Sequence, residues 1–211
     1  TSIGEFALKG CSGLTGIVVD ENNQTYSSDE YGVLFNKDKT TLINYPAGNT
    51  ATSYEIPETV TTISPYAFNN CNTLTNIVIP DSVTTIGNYA FNGCSALTGI
   101  EIPDSVKTID IYAFNGCTAL SNLTLGSGLT TISSYVFSEC DSLTSVTIPS
   151  GVNVEKGAFA NSDKLANITL STTSKASAEA FNGTAFYNNA ENWTDDFLYI
   201  GDYLIAAKTT L

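Results

Sequence analysis

Apolar residues fall in a fixed order along this chain, and the order returns every 23 residues. Four segments align without gaps: IPETVTTISPYAFNNCNTLTNIVI from Ile56, IPDSVTTIGNYAFNGCSALTGIEI from Ile79, IPDSVKTIDIYAFNGCTALSNLTL from Ile102 and LGSGLTTISSYVFSECDSLTSVTI from Leu125. Two looser copies follow at a spacing of 22, around Phe159 and Phe181. An earlier copy, IGEFALKGCSGLTGIVV, starts at Ile3 with its front missing. Self-similarity at such a period marks a repeat solenoid, in which each coil is one supersecondary unit.

Each apolar slot predicts a ladder when coils stack. The bulkiest holds Phe68, Phe91, Phe114 and Phe137, with Leu8 in that place in the first copy. Beside it run Ile63, Ile86, Ile109 and Ile132, then Leu74, Leu97, Leu120 and Leu143. The stretch L-x-x-I-x-I alternates after its leucine, so Ile77 and Ile79 face inward and Val78 outward, as a half-buried strand requires. Proline at 57, 80, 103 and 149 ends that strand, because it donates no ladder hydrogen bond and fixes its own φ. V-x-x-I predicts a second short extended segment. Tyr-Ala-Phe-Asn-Gly-Cys predicts a helical or 3₁₀ turn closed by Gly93 or Gly116. One coil cannot bury its own apolar face, so stability rests on neighbours.

Two segments interrupt the order. Within residues 20–55, apolar runs from Gly32 to Asn36 and from Thr41 to Tyr45 flank the polar turn Lys37-Asp38-Lys39 and predict a β-hairpin. Near the end, Phe197 to Ile200, a Gly201-Asp202 turn and Tyr203 to Ala207 predict a second. Such hairpins would cover an exposed end or side of the solenoid. The division is therefore an incomplete first repeat at 1–19, a hairpin insertion at 20–55, about six coils at 56–184 and a hairpin cap at 185–211.

The 23-residue I-P-x-x-V-x-x-I-x-x-x-A-F-x-x-C-x-x-L-x-x-I-x-I copies, with the hairpin that runs from Tyr26 to Tyr45-Pro-Ala-Gly, resemble the BspA-like leucine-rich repeats of the Treponema type. The resemblance covers nearly the whole chain. It implies a curved, right-handed leucine-rich-repeat coil with short parallel strands, displayed on a bacterial or protozoan surface and often mediating adhesion. It implies no particular ligand and carries no shared site residues. The chain departs from the pattern after Ile148: Val154 and Ala176 replace isoleucine, and Ser162 and Thr184 replace cysteine.

Charge narrows the partners. With 21 acidic residues, 8 basic ones and no histidine, the net charge is −13, the wrong sign for nucleic acid or an anionic membrane surface. No run approaches the roughly 18 apolar residues of a membrane span, and no basic-then-apolar signal opens the chain. The absence of methionine, position 1 included, points to a piece of a longer precursor.

Catalytic and metal chemistry find little support. The five cysteines, Cys11, Cys71, Cys94, Cys117 and Cys140, share one slot and so stack one per coil instead of converging. At the spacing of neighbouring strands, Cys71 and Cys140 stand roughly 14 Å apart, whereas tetrahedral zinc draws four ligands around one ion. Parallel Cβ vectors make a disulfide between coils awkward, and an odd count leaves one thiol over. The expectation is buried free thiols acting as small apolar residues. Without histidine, Ser-His and Cys-His catalysis cannot be built. The acid pairs Asp195-Asp196 and Asp29-Glu30 read as solvated loops, and the run from Asp20 to Gln24 lacks the glycine and glutamate of an EF-hand. Gly126-Ser-Gly128 has no following lysine to make a phosphate loop. The Asn-x-Ser/Thr matches at Asn23, Asn122, Asn167, Asn182 and Asn192 are expected by accident in a chain this rich in Asn and Thr. Neither an enzyme nor a cofactor is expected.

Binding on a solenoid uses one residue row per coil. The outward strand row is Val18, Val78, Glu101, Thr124, Thr147 and Thr169, and its neighbour is Asn76, Gly99, Asn122, Ser145 and Asn167. These rows are either a plain β-face or a flat polar platform for a protein or glycan. Aromatics in the interruptions, Tyr26, Tyr31, Tyr187, Trp193, Tyr199 and Tyr203, either pack the core ends or form a second contact surface. The function expected is extracellular or cell-surface recognition and adhesion, with a structural spacer as the alternative.

Overall fold

The computed structural model describes residues 2–4 and 6–207. The V-x-x-I segments become two-residue strands, Thr62–Ile63, Thr85–Ile86, Thr108–Ile109, Thr131–Ile132, Asn153–Val154 and Lys175–Ala176, each paired in parallel with the next coil. Three strands before them, Tyr26–Ser28, Leu34–Asn36 and Thr41–Asn44, extend this row to a nine-stranded sheet. The second strand of each coil builds the other ladder. Ser53–Glu55, Asn76–Val78, Gly99–Ile102 and Asn122–Leu125 form one sheet, and Ser145–Ile148 pairs with Asn167–Leu170 in another. The repeat solenoid of parallel strands expected from the 23-residue period is the observed fold. The last two coils keep the V-x-x-I strand despite Val154 and Ala176, although the last has the helix Ala185–Asn188 in place of a second strand.

Between the ladders lies the phenylalanine column. Phe68, Phe91, Phe114, Phe137, Phe159 and Phe181 are all fully buried. Their rings stack with centroids 4.7 to 5.5 Å apart. Strand pairing sets a coil rise of about 4.8 Å, which is also a favourable ring-stacking distance, so one residue type suits the slot in every coil. Each buried ring contributes about 1.5–3 kcal/mol.

Tyr45, and not Leu8, heads this column: its ring stacks on Phe68 at 5.3 Å and 22°. Thr41–Asn44 pairs in parallel with Thr62–Ile63, and Ser53–Glu55 with Asn76–Val78. Residues 41–55 are thus a coil in their own right, and the hairpin shares its last strand with that coil. The sequence hides this because Tyr45 and Tyr54 stand in for Phe and Ile. The leading copy also differs from expectation. Residues 2–4 and 6–19 hold no strand and none of them is buried; Val18 is 95% exposed. Backbone bonds from Ile17 N to Gly32 O and from Gly48 N to Leu14 O fasten this segment to the first hairpin and coil.

The Tyr-Ala-Phe-Asn-Gly-Cys stretch forms two successive turns, not a helix. Ala67 N donates to Ser64 O and Cys71 N to Phe68 O, within the coil. Alternate amides, Tyr66 N, Phe68 N and Asn70 N, donate to Asn88 O, Ala90 O and Asn92 O of the next coil. A helix would spend those amides four residues back in its own chain. Here they extend the coil-to-coil ladder.

The C-terminal end closes with a short helix, Ala185–Asn188, whose N-cap Thr184 accepts from Tyr187 N. An antiparallel sheet of Trp193–Thr194, Phe197–Ile200 and Tyr203–Ala207 follows. Leu198, Ile200 and Ile205 join the core, while Phe197, Tyr199, Tyr203 and Leu204 face out. Residues 208–211 of the stretch 185–211 lie outside the described residues. Among the described residues, no helix is long and apolar enough to cross a membrane.

Candidate functional site

Strand pairing places the expected rows in register. Glu55 stands beside Val78, Asn76 beside Gly99, Gly99 beside Asn122 and Glu101 beside Thr124. Farther along, Ser145 stands beside Asn167 and Thr147 beside Thr169. Asn76, Val78, Glu101, Asn122, Thr124, Ser145, Thr147, Asn167 and Thr169 are all exposed, because alternation sends their neighbours into the core. Val18 is not part of this face, since no strand forms around it.

The face is not one flat platform. No strand pairing joins Asn122–Leu125 to Ser145–Ile148, although the other sheet runs on without a break. The fourth coil has LGSGL where its predecessors have IPxxV. Gly126 lets it close on the third coil, for a Cβ there would lie 2.5 Å from Pro103 O. Asp104 Oδ1 accepts from both Ser127 N and Ser127 Oγ, and these bonds hold its carboxyl below the usual range. The strand is thus bonded to its predecessor and unpaired with its successor.

The break separates two kinds of surface. On one side, Glu58, Asn76, Val78, Asp81 and Glu101 line a depression of about 380 Å³. A second, of about 300 Å³, continues over Asp81, Glu101, Asp104 and Thr124. Glu55 lies on the same row as Val78. On the other side the row is Thr147 and Thr169, flanked by Ser145 and Asn167, without formal charge.

The cysteine slot is polar as well as buried. Cys94 Sγ donates to Phe68 O at 3.1 Å, Cys117 to Phe91 O at 3.3 Å and Cys140 to Phe114 O at 3.5 Å. Where the fifth coil has Ser162, its Oγ donates to Phe137 O at 2.9 Å. The slot thus selects a small hydrogen-bond donor, which corrects its reading as a purely apolar position. Burial pushes the Cys94 thiol up to about 12, and raises Cys71, Cys117 and Cys140 likewise. Cys11 departs from the ladder altogether and is exposed. Among the described residues, no group of three or more His, Cys, Asp or Glu is placed to hold a metal ion.

Two ladders were missed in the sequence, although their periodicity lies in plain view. Asn69 Nδ2 donates to Asn92 O and Oδ1, Asn92 Nδ2 to Asn115 O and Oδ1, and Asn115 Nδ2 to Ser138 O and Oγ. On the surface, Tyr66, Tyr89, Tyr112 and Tyr135 stack with centroids 4.9 to 5.0 Å apart. All four adopt φ between 57° and 60°. They occupy the third position of a turn where positive φ favours glycine, as in the fifth coil, which has Gly157 at φ 67°. The adjoining turn follows that preference with Asn70, Gly93, Gly116, Asn161 and Gly183, and departs from it in the fourth coil with Glu139 at φ 58°. A left-handed tyrosine costs roughly 1–2 kcal/mol, and each stacked pair returns about 0.5–1.5 kcal/mol. Burial and the neighbouring phenols raise Tyr89 above the ordinary phenol range.

Of the aromatics in the interruptions, Trp193 packs. Its Nε1 donates to Tyr187 O at 2.8 Å and its ring meets Tyr187 edge-on at 5.2 Å. Tyr31, Tyr199 and Tyr203 remain exposed.

Parallel coils of this length, an exposed strand face and a stacked phenylalanine spine define a leucine-rich-repeat solenoid. The chain belongs to the BspA type leucine rich repeat family, whose six-copy profile matches residues 47–166 and 85–211. It is similar to a leucine-rich repeat protein of Eubacterium ventriosum, with 32% identity and a TM-score of 0.70 over 88% of this chain and 56% of that one. A leucine-rich cell surface protein of Faecalibacterium prausnitzii is 27% identical with a TM-score of 0.58, covering 87% of this chain and 42% of that one. The pneumococcal vaccine antigen PcpA is 27% identical with a TM-score of 0.59, covering 77% and 49%. The chain thus spans about half the length of these proteins. No curated protein matches it.

Proposed function

We propose that this chain is a non-catalytic recognition or adhesion module of a bacterial cell surface. It binds a protein or glycan through the strand face and acts on neither nucleic acid nor membrane. The observation that carries the reading is the set of nine exposed side chains, Asn76 to Thr169, held in register by two parallel ladders, one on each side of the break. Preorganised rows of this kind lose little conformational entropy on binding. Similarity to a protein described as a leucine-rich cell surface protein, and to a pneumococcal antigen, supports the surface location.

The test is a binding screen of the purified chain against matrix proteins and glycans at physiological salt, followed by face variants. A saturable hit that Glu101→Arg or Thr147→Arg abolishes, with the thermal melt unchanged, supports the reading. The half that matters also shows in the salt dependence: contacts over Glu58, Asp81 and Glu101 weaken with salt, those over the threonine half do not. A hit indifferent to both variants, or silence from a folded chain across the array, overturns the face assignment and favours a spacer.

A further inference from the structure

Four phenols stand in line on the solenoid surface, and nothing about a binding face requires them. Tyr66, Tyr89, Tyr112 and Tyr135 are each half-buried, one per coil, with interplanar angles of 6°, 10° and 5° between successive rings. Among the described residues, no hydrogen bond ties their hydroxyls to protein. The stack ends at Gly157, which lies against the Tyr135 ring, and begins where Lys9 Nζ sits 4.4 Å from the Tyr66 centroid.

We propose that this stack is a site of oxidative cross-linking, in which a peroxide-fed one-electron oxidant couples tyrosines of neighbouring coils into dityrosine. Each of two phenols gives up one electron and one proton, leaving phenoxyl radicals whose spin density reaches the ortho carbons. A carbon–carbon bond forms between one ortho carbon of each ring, and the two ortho hydrogens move to oxygen, restoring both phenols. The pair loses two hydrogens in total, and one hydrogen peroxide takes them up as two waters.

Geometry and composition both favour the reaction here. Ring spacings of 4.9, 4.9 and 5.0 Å hold neighbouring phenols face to face, the arrangement in which two phenoxyl radicals meet ortho carbon to ortho carbon. Competing sinks are scarce: the chain has no methionine, no histidine and one tryptophan, and Cys71, Cys94, Cys117 and Cys140 are buried. Only successive coils are close enough, so the links join Tyr66 to Tyr89, Tyr89 to Tyr112 and Tyr112 to Tyr135. Each link staples two coils whose stability depends on one another.

The experiment treats the monomeric chain, with Cys11 alkylated first, with hydrogen peroxide and a haem peroxidase. The expected result is dityrosine fluorescence in the monomer, with digests giving joined peptides two hydrogens lighter than their sum at those three pairs. The double variant Tyr89→Phe, Tyr112→Phe keeps the rings stacked but leaves no adjacent phenols within the row, so all three linked peptides disappear. The companion variant Tyr199→Phe, Tyr203→Phe retains them. Circular dichroism melts establish that both variants are folded. Links that persist in the first variant, links confined to Tyr199 and Tyr203 or to pairs of molecules, or no links in the wild type would overturn the proposal.

Discussion

Cys94 Sγ lies 3.1 Å from the carbonyl oxygen of Phe68 in the preceding coil, and Ser162 Oγ makes the same bond to Phe137 at 2.9 Å. The fifth coil therefore shows which replacement the other coils tolerate. Cys94→Ser keeps a donor of similar size, and its expected loss is about 1 kcal/mol or less. Cys94→Val removes the donor and adds volume where no space remains, with an expected loss of about 1–3 kcal/mol. Chemical denaturation of both variants checks the order, which a purely apolar slot would reverse.

Alkaline pH acts on the same ladder. Burial raises the Cys94 thiol from 9.0 to about 12, so the folded chain holds a proton that the unfolded chain releases. Its contribution to stability is complete below pH 9 and declines as pH rises toward about 12. Cys71, Cys117 and Cys140 add to the decline. Thermal midpoints should fall steadily on the alkaline side, and a chain carrying serine at several of these slots should show a shallower fall. In native protein at neutral pH, a thiol reagent should label Cys11 alone.

Phe114 sits mid-column, stacked on Phe91 at 4.7 Å and on Phe137 at 5.3 Å. Phe114→Ala deletes both contacts and leaves a cavity between coils, with an expected loss of about 3–5 kcal/mol. An unchanged melt would show that the column does not carry the array.

Gly157 is the one glycine in the tyrosine row. Its φ is 67°, and a Cβ there would clash with the Tyr135 ring. Gly157→Ala should lose roughly 1–2 kcal/mol from the left-handed backbone. It should also displace Tyr135 from the stack, visible as a change in near-ultraviolet circular dichroism.

Trp193 is the single tryptophan of the chain and packs against Tyr187 in the C-terminal cap. Its fluorescence therefore reports the cap. Trp193→Ala should lower stability by about 1–3 kcal/mol and leave any binding at the strand face intact. Lost binding with an unchanged melt would instead make it a contact residue.

The candidate face shows how far sequence reading reached. Exposure of Asn122, Thr124, Ser145 and Thr147 followed from alternation alone, because a strand with one face in the core sends every second residue outward. The break between Thr124 and Thr147 did not. It depends on how closely Gly126 approaches Pro103 and on the pair Asp104–Ser127, which are contacts between coils and leave no trace in a single repeat. The tyrosine and asparagine ladders had a visible period, but a period does not say whether a slot faces core, neighbour or water.

What the sequence by itself determined is the repeat architecture, for an apolar slot recurring every 23 residues can be buried only by stacking copies. It also determined both hairpins, since polar turn residues between short apolar runs encode a local return of the chain. Only the tertiary structure decided where the coils begin. The first strand-bearing coil is built by Tyr45 and Tyr54, which fill core slots by shape without matching the pattern, whereas the leading copy matches the pattern and buries nothing. Burial is a property of neighbours, and the leading copy pairs no strand with the coil that follows it, so its apolar slots stay uncovered.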